Sequence, residues 1–62
     1  MKRIDLMKHL KKEGCVFMRE GAKHSLFSNF ANGKFSTIPR HTEINSFLAK
    51  KICKDLGIND DF

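Results

Sequence analysis

The sequence is short of the features on which many small proteins depend. Only two cysteines, Cys15 and Cys53, occur in 62 residues, too few for the disulfide framework that staples small secreted domains. The opening stretch MKRIDLMKHLKKEG is charged every few residues and so has no apolar core of a signal peptide. No run approaches the roughly 20 apolar residues that a membrane span needs. A cytoplasmic chain with no membrane association is expected, its thiols reduced and buried as small hydrophobes. Cys15, Cys53, His9, His24 and His41 show no close paired spacing of the zinc kind, so neither a metal nor another cofactor is expected. Paired catalytic carboxylates, a Cys–His pair at motif spacing and a glycine-rich phosphate cradle are all lacking.

Acidic residues are scarce as well. There are 7 against 12 Lys and Arg, a net charge of +5, and this balance points to a polyanionic partner, nucleic acid first and acidic protein second. Four of the acids, Glu43, Asp55, Asp60 and Asp61, lie at helix ends or in the tail. Between Arg19 and His41 the only acid is Glu20, set against Arg19, Lys23, Lys34, Arg40 and two histidines. The middle of the chain is a basic field.

The length allows one domain, residues 1–62. A chain of this size buries only about 60% of the surface its unfolded form exposes, so its stability is expected to be marginal and open to help from a partner. The pattern is α-β-β-β-α. Arg3 to Glu13 carries Leu6, Met7 and Leu10 on one helical stripe, with Lys8 and Lys12 opposite and Gly14 as the stop. CVFMR is a short strand, and Glu20-Gly21 a turn in which glycine can supply a positive φ. HSLFSNF is a second strand, Asn32-Gly33 a hairpin signal, and KFSTI a third strand ended by Pro39. Ser46 to Leu56 is a second helix, with Phe47, Leu48, Ile52 and Leu56 assigned to its apolar stripe. Asn45 or Thr42 is its N-cap, and Gly57 followed by Ile58 its stop. The expected class is α+β: a three-stranded antiparallel meander with both helices on one face.

Three histidines compete for a chemical role. His9, on the flank of the first helix, is expected to be a solvated surface residue. His24 opens the second strand directly after the glycine turn. It is three residues from Phe27 and so faces the other way on a regular strand. If Phe27 points to the core, His24 points out into the basic field. His41, in IPRHTE, sits beside Arg40 before the second helix and is equally consistent with a solvated loop residue. RNA scission needs no protein nucleophile, because the ribose 2′-OH attacks. It needs a base, an acid and cations for the crowded phosphate. Histidine can serve in either proton role, and the chain supplies the cations.

The stretches LMKHLKKEGCVFMREGAKHSLFSN and NGKFSTIPRHTEINSFLAKKICKDLGI resemble the HicA family of toxins from HicA/HicB toxin–antitoxin systems. The likeness covers nearly the whole chain and is carried most specifically by GAKH, IPRH-x-EI and A-x-KI-x-KDLGI. It implies a double-stranded-RNA-binding-domain-like fold and a ribonuclease that cuts mRNA and arrests growth, held in check by a HicB-type antitoxin. The family's catalytic histidine falls on His24, and its proline-x-His element on Pro39 and His41. Two departures stand out: Ala22 where the family often has Ser or Thr, and Phe27 where Tyr is frequent. Neither touches His24. The expectation is a metal-independent mRNA endoribonuclease, a monomer when free. His24 is its acid or base, and Arg19, Lys23, Lys34, Arg40 and His41 contact RNA. A non-catalytic RNA-binding module of the same fold is the alternative, and a subunit acting only through a partner the third reading.

Overall fold

A computed structural model describes residues 1–61. Helix α1 (Arg3–Lys12) is followed by strands β1 (Val16–Glu20), β2 (His24–Asn29) and β3 (Lys34–Pro39) and by helix α2 (Ser46–Leu56). The strands form one antiparallel sheet in the order β1-β2-β3. The α-β-β-β-α order and open three-stranded sheet agree with the double-stranded-RNA-binding-domain-like class.

Alternation along β2 decides how the layers stack. Ser25, Phe27 and Asn29 are buried, while His24 is exposed and Leu26 and Ser28 are half-buried. Side chains two apart share a face, so the Ser25–Phe27–Asn29 face meets the helices. Leu6 and Leu10 come down from α1, and Ala49, Ile52, Cys53 and Leu56 from α2, onto Phe27 and Ile38. Fully burying a side chain such as Phe27 contributes about 1.5–3 kcal/mol. Phe17, opposite Phe27 in the ladder, adds an edge-on ring contact at 5.7 Å between centroids.

The buried set corrects one expectation for α2. Phe47 is 82% exposed and does not belong to the apolar stripe. The true stripe is Ala49, Ile52, Cys53 and Leu56, at i, i+3, i+4 and i+7. Two of its members are small, and a search weighted to large apolar residues passes over them. Phe47 lies two residues from Ala49 and so points to nearly the opposite side of the helix.

The ends of the elements follow local chemistry. The Asn45 side chain accepts from Leu48 N at 2.7 Å and caps α2. Gly57, at φ +68°, and Ile58 close the helix with N–H bonds to the carbonyls of Lys54 and Cys53, both 3.0 Å, the reciprocal pattern of a Schellman stop. The hairpin expected at Asn32-Gly33 is present as a four-residue loop, Phe30–Gly33. Asn32 keeps a negative φ and only Gly33 turns positive. Phe30 is thereby lifted out of β2 and left exposed. Asn29 and Asn32 both donate side-chain amides to Leu56 O, at 2.9 and 3.0 Å, and so sew this hairpin to the end of α2.

Four further expectations are adjusted. Glu20 belongs to β1 rather than to the turn, and α1 stops one residue short of Glu13. Gly21 does not take a positive φ. Its N–H donates to His24 O at 2.7 Å, and a Cβ there would stand only 3.2 Å from that same oxygen. Glycine serves here by permitting close approach. His9 is not merely solvated: it is half-buried, with Nε2 at 2.5 Å from Asn59 O. Among the described residues no helix is long and apolar enough to cross a membrane.

Candidate active site

The site is assembled where the β1–β2 turn meets the end of β3. His24 begins β2, directly opposite Pro39, and its backbone is held by the Gly21 N–H. Its side chain is exposed, on the opposite strand parity from the buried Ser25 and Phe27. Pro39 then releases the chain into Arg40 and His41. A cleft of about 340 Å³ is lined by Ala22, Lys23, His24, Pro39, Arg40 and His41. Both histidines also border a second cleft of about 330 Å³, whose other wall comes from α2 through Leu48, Lys51, Ile52 and Asp55. Two imidazoles, a lysine and an arginine thus share one rim.

A chain of polar contacts holds this rim together. Arg3, the first residue of α1, donates from Nε to Pro39 O at 3.0 Å and from Nη2 to Ser25 Oγ. Ser25 Oγ passes its own hydrogen to Glu20 Oε1 at 2.7 Å. The other Glu20 oxygen pairs with Arg40 Nε at 2.9 Å. Ser25 is fully buried, and this network satisfies its hydroxyl as a buried polar group requires. The result joins α1, β1, β2 and the segment after β3 at the point where His24 and His41 stand. Charge-assisted bonds of this kind are the stronger ones, although the Glu20–Arg40 end is substantially exposed and screened by solvent.

The residues expected to contact RNA are not all in one place. Lys23, Arg40 and His41 flank His24. Arg19 lies on β1 opposite Leu26, on the same face of the sheet as His24 but outside both clefts. Lys34 is paired with Asn29 at the far end of the β2–β3 ladder, roughly 17 Å from the His24 end at about 3.4 Å per residue. There it joins Phe35, Lys54 and Asp55 around a separate groove. Arg40 is also not an unengaged cation, because Glu20 holds it.

Sequence reasoning missed Arg3 and Ser25. Their contacts span 22 and 36 residues, and no local pattern reports such a separation. Glu20, the one acid in the basic stretch, was a visible signal whose partner was not. Both cysteines are core residues without a disulfide. Burial, reinforced by Glu13, raises the Cys15 thiol above its ordinary value. Burial, then Asp60, Cys15 and Glu13, pushes Cys53 up to about 11. Both therefore remain protonated at neutral pH and are poor nucleophiles. Among the described residues no three His, Cys, Asp or Glu side chains are gathered as metal ligands.

Comparison with known proteins gives one match. The family described as HicA toxin of bacterial toxin-antitoxin matches residues 4–58. No curated protein and no solved structure gives a significant match.

Proposed function

The chain belongs to the HicA toxin family of bacterial toxin–antitoxin systems, and on that premise we propose that it is a metal-independent endoribonuclease that cuts mRNA. An antitoxin is the partner that membership implies.

One observation carries the chemical reading: His24 and His41 stand on one exposed rim with Lys23 and Arg40. The ribose 2′-OH attacks the adjacent phosphorus, so the nucleophile comes from the substrate. One imidazole takes the hydroxyl proton as the new P–O bond forms, and an acid returns a proton to the departing 5′-oxygen. His24 is assigned to one of these transfers, with His41 beside it as the neighbouring imidazole. Lys23 and Arg40 supply positive charge where the phosphorane oxygens gain negative charge. The Arg3–Ser25–Glu20–Arg40 chain supports this reading, because it fixes the Arg40 guanidinium and the Pro39 backbone opposite His24, and a cation contributes to rate only if held in register.

The antitoxin is proposed to be a HicB-type protein that presents acidic residues to this rim, steered there by charge. Such a partner occludes His24 and raises the stability of a small domain by mass action.

The test is inducible expression of the wild-type chain beside His24→Ala, scored for growth and mRNA integrity, with the purified proteins assayed on RNA in excess chelator. Wild type is expected to arrest growth and cut RNA in chelator. His24→Ala is expected to do neither while keeping its fold, because substitution of an exposed residue usually costs within about 0.5 kcal/mol. Cleavage by His24→Ala at the wild-type rate rejects the assignment. RNA binding without cleavage by wild type leaves the plain RNA-binding module standing.

A further inference from the structure

Several large apolar side chains are exposed in this domain, and among them Phe47, at the second position of α2, is the barest at 82%. Three lysines surround it. Lys50, Lys51 and Lys54 follow at i+3, i+4 and i+7, so all four side chains lie along one flank of the helix, and they line a common groove with Asp60. Lys51 is partly neutralised by Asp55, 3.1 Å away. Among the described residues Lys50 and Lys54 make no ion pair.

The flank is continuous with the candidate active site. Lys51 borders both the Phe47 groove and the cleft shared by His24 and His41. Lys54 borders both the Phe47 groove and the one holding Lys34 and Phe35, where Phe35 is 67% exposed. A belt of lysines interleaved with two bare phenyl rings thus leads away from His24 and around α2.

We propose that this flank of α2 is a track for single-stranded RNA leaving the His24 site, with one unpaired base stacked on the Phe47 ring and the adjoining phosphates on Lys50 and Lys54. The inference rests on the ribonuclease reading for its substrate class and adds to it the state of the strand and the residue that senses it. A phenyl face offers a base a stacking partner whatever its identity. Only a base out of its pair can take it, because an A-form duplex presents backbone and 2′-hydroxyls and keeps its bases stacked inside. Lys50 and Lys54 are about 6 Å apart along the helix axis, close to one nucleotide step of an extended strand. A wholly apolar protein surface would bury the ring but leave both ammonium groups desolvated and unpaired, at a cost. The lysines therefore favour a polyanion as the occupant.

The test uses the His24→Ala chain, so that the probe stays intact. Short single-stranded RNA carrying a fluorescent adenine analogue, whose emission falls on stacking, is titrated against this chain and against versions that also carry Phe47→Ala, Phe47→Leu or Phe47→Trp. A blunt RNA duplex of the same sequence is the second arm. Thermal midpoints check that each variant is folded, which the exposure of Phe47 makes the expected result. Phe47→Ala and Phe47→Leu are expected to weaken single-strand binding by roughly 5- to 100-fold and to abolish the emission drop. Phe47→Trp is expected to retain both, and duplex binding to change less than about twofold throughout.

Unchanged single-strand affinity in Phe47→Ala overturns the proposal. So does full retention by Phe47→Leu, or an equal loss on the duplex. If RNA affinity is kept but association with the antitoxin is lost, the patch is a protein interface and the proposal falls. Cleavage by the chain that retains His24 is measured separately. If that chain cuts RNA while Phe47→Ala binds normally, the stacking track fails and the nuclease stands. If it cuts nothing while the Phe47 arms behave as expected, the track stands and the nuclease fails.

Discussion

The two cationic regions of this molecule are built on opposite plans. Beside His24 the guanidinium is wired, while Lys23 makes no ion pair among the described residues. Arg40 is held by Glu20, Glu20 by Ser25 and Ser25 by Arg3, which also grips the backbone of Pro39. Along α2 the charges are loose: Lys50 and Lys54 stand in solvent beside a bare ring, and among the described residues only Lys51 of this flank has a carboxylate partner. Bond making needs groups held within a fraction of an ångström of their working positions. Capture of a flexible polyanion needs only a high local density of positive charge, and mobile lysines provide it without being ordered in advance. On the proposed ribonuclease reading, the difference separates a region suited to rate from a region suited to affinity.

That separation can be broken most sharply at Glu20. Glu20→Ala removes the acceptor for Ser25 and the partner of Arg40. RNA cleavage is expected to fall roughly 10- to 100-fold, with RNA affinity little changed or slightly raised because Arg40 is released. Glu20→Gln, which keeps an oxygen for Ser25, is expected to recover part of the rate. Single-turnover rates and anisotropy titrations on the same proteins check this. A loss of affinity with no loss of rate would show that the two regions do not differ as described.

The α2 flank is expected to respond in the other quantity. Lys50→Ala and Lys54→Ala should each weaken RNA binding several-fold and reduce the slope of log affinity against log salt by about 0.7, the value for one phosphate contact on a single strand. Single-turnover cleavage at saturating RNA should hardly change. Lys51→Ala should do less to affinity, since Asp55 already competes for that ammonium. Salt titration of the four proteins is the measurement, and a slope unchanged in Lys50→Ala and Lys54→Ala would remove the flank from the interface.

The smallest effect near neutral pH is expected in the core beneath both regions. The Cys53 thiol is pushed up to about 11 from an ordinary 9.0. Between these values the folded state holds a proton that the unfolded chain has released. Unfolding is then favoured as pH rises. Stability from this group is complete below about pH 9 and is lost as pH climbs through 11. The thermal midpoint should therefore be flat with respect to this group from pH 7 to 9 and fall by several degrees above it. Cys53→Ala should start lower, because it leaves a small cavity, but should lack most of that decline. Calorimetry across this range decides, and an equal decline in both proteins would assign it to other groups.

Much of the fold was legible because its signals are local. Gly14, Gly33 and Gly57 mark left-handed positions, Asn45 caps α2, and the parity of β2 separates Phe27 from His24 by two-residue alternation alone. Phe47 is out of phase with the buried face of α2, which small Ala49 and Cys53 mark as firmly as Ile52 and Leu56 do.

By itself the sequence determined the order of elements, the exposure of His24 and a basic middle segment with a single acid in it. These follow from periodicity, turn chemistry and charge count, all of which act between near neighbours in the chain. Only the tertiary structure decided that Arg3 anchors the His24 rim, that Glu20 occupies Arg40, and that Lys34 joins Lys54 at the far end of the ladder instead of His24. Each depends on residues distant in sequence meeting once helices have packed on the sheet, and the spacing of letters along the chain has no term for that.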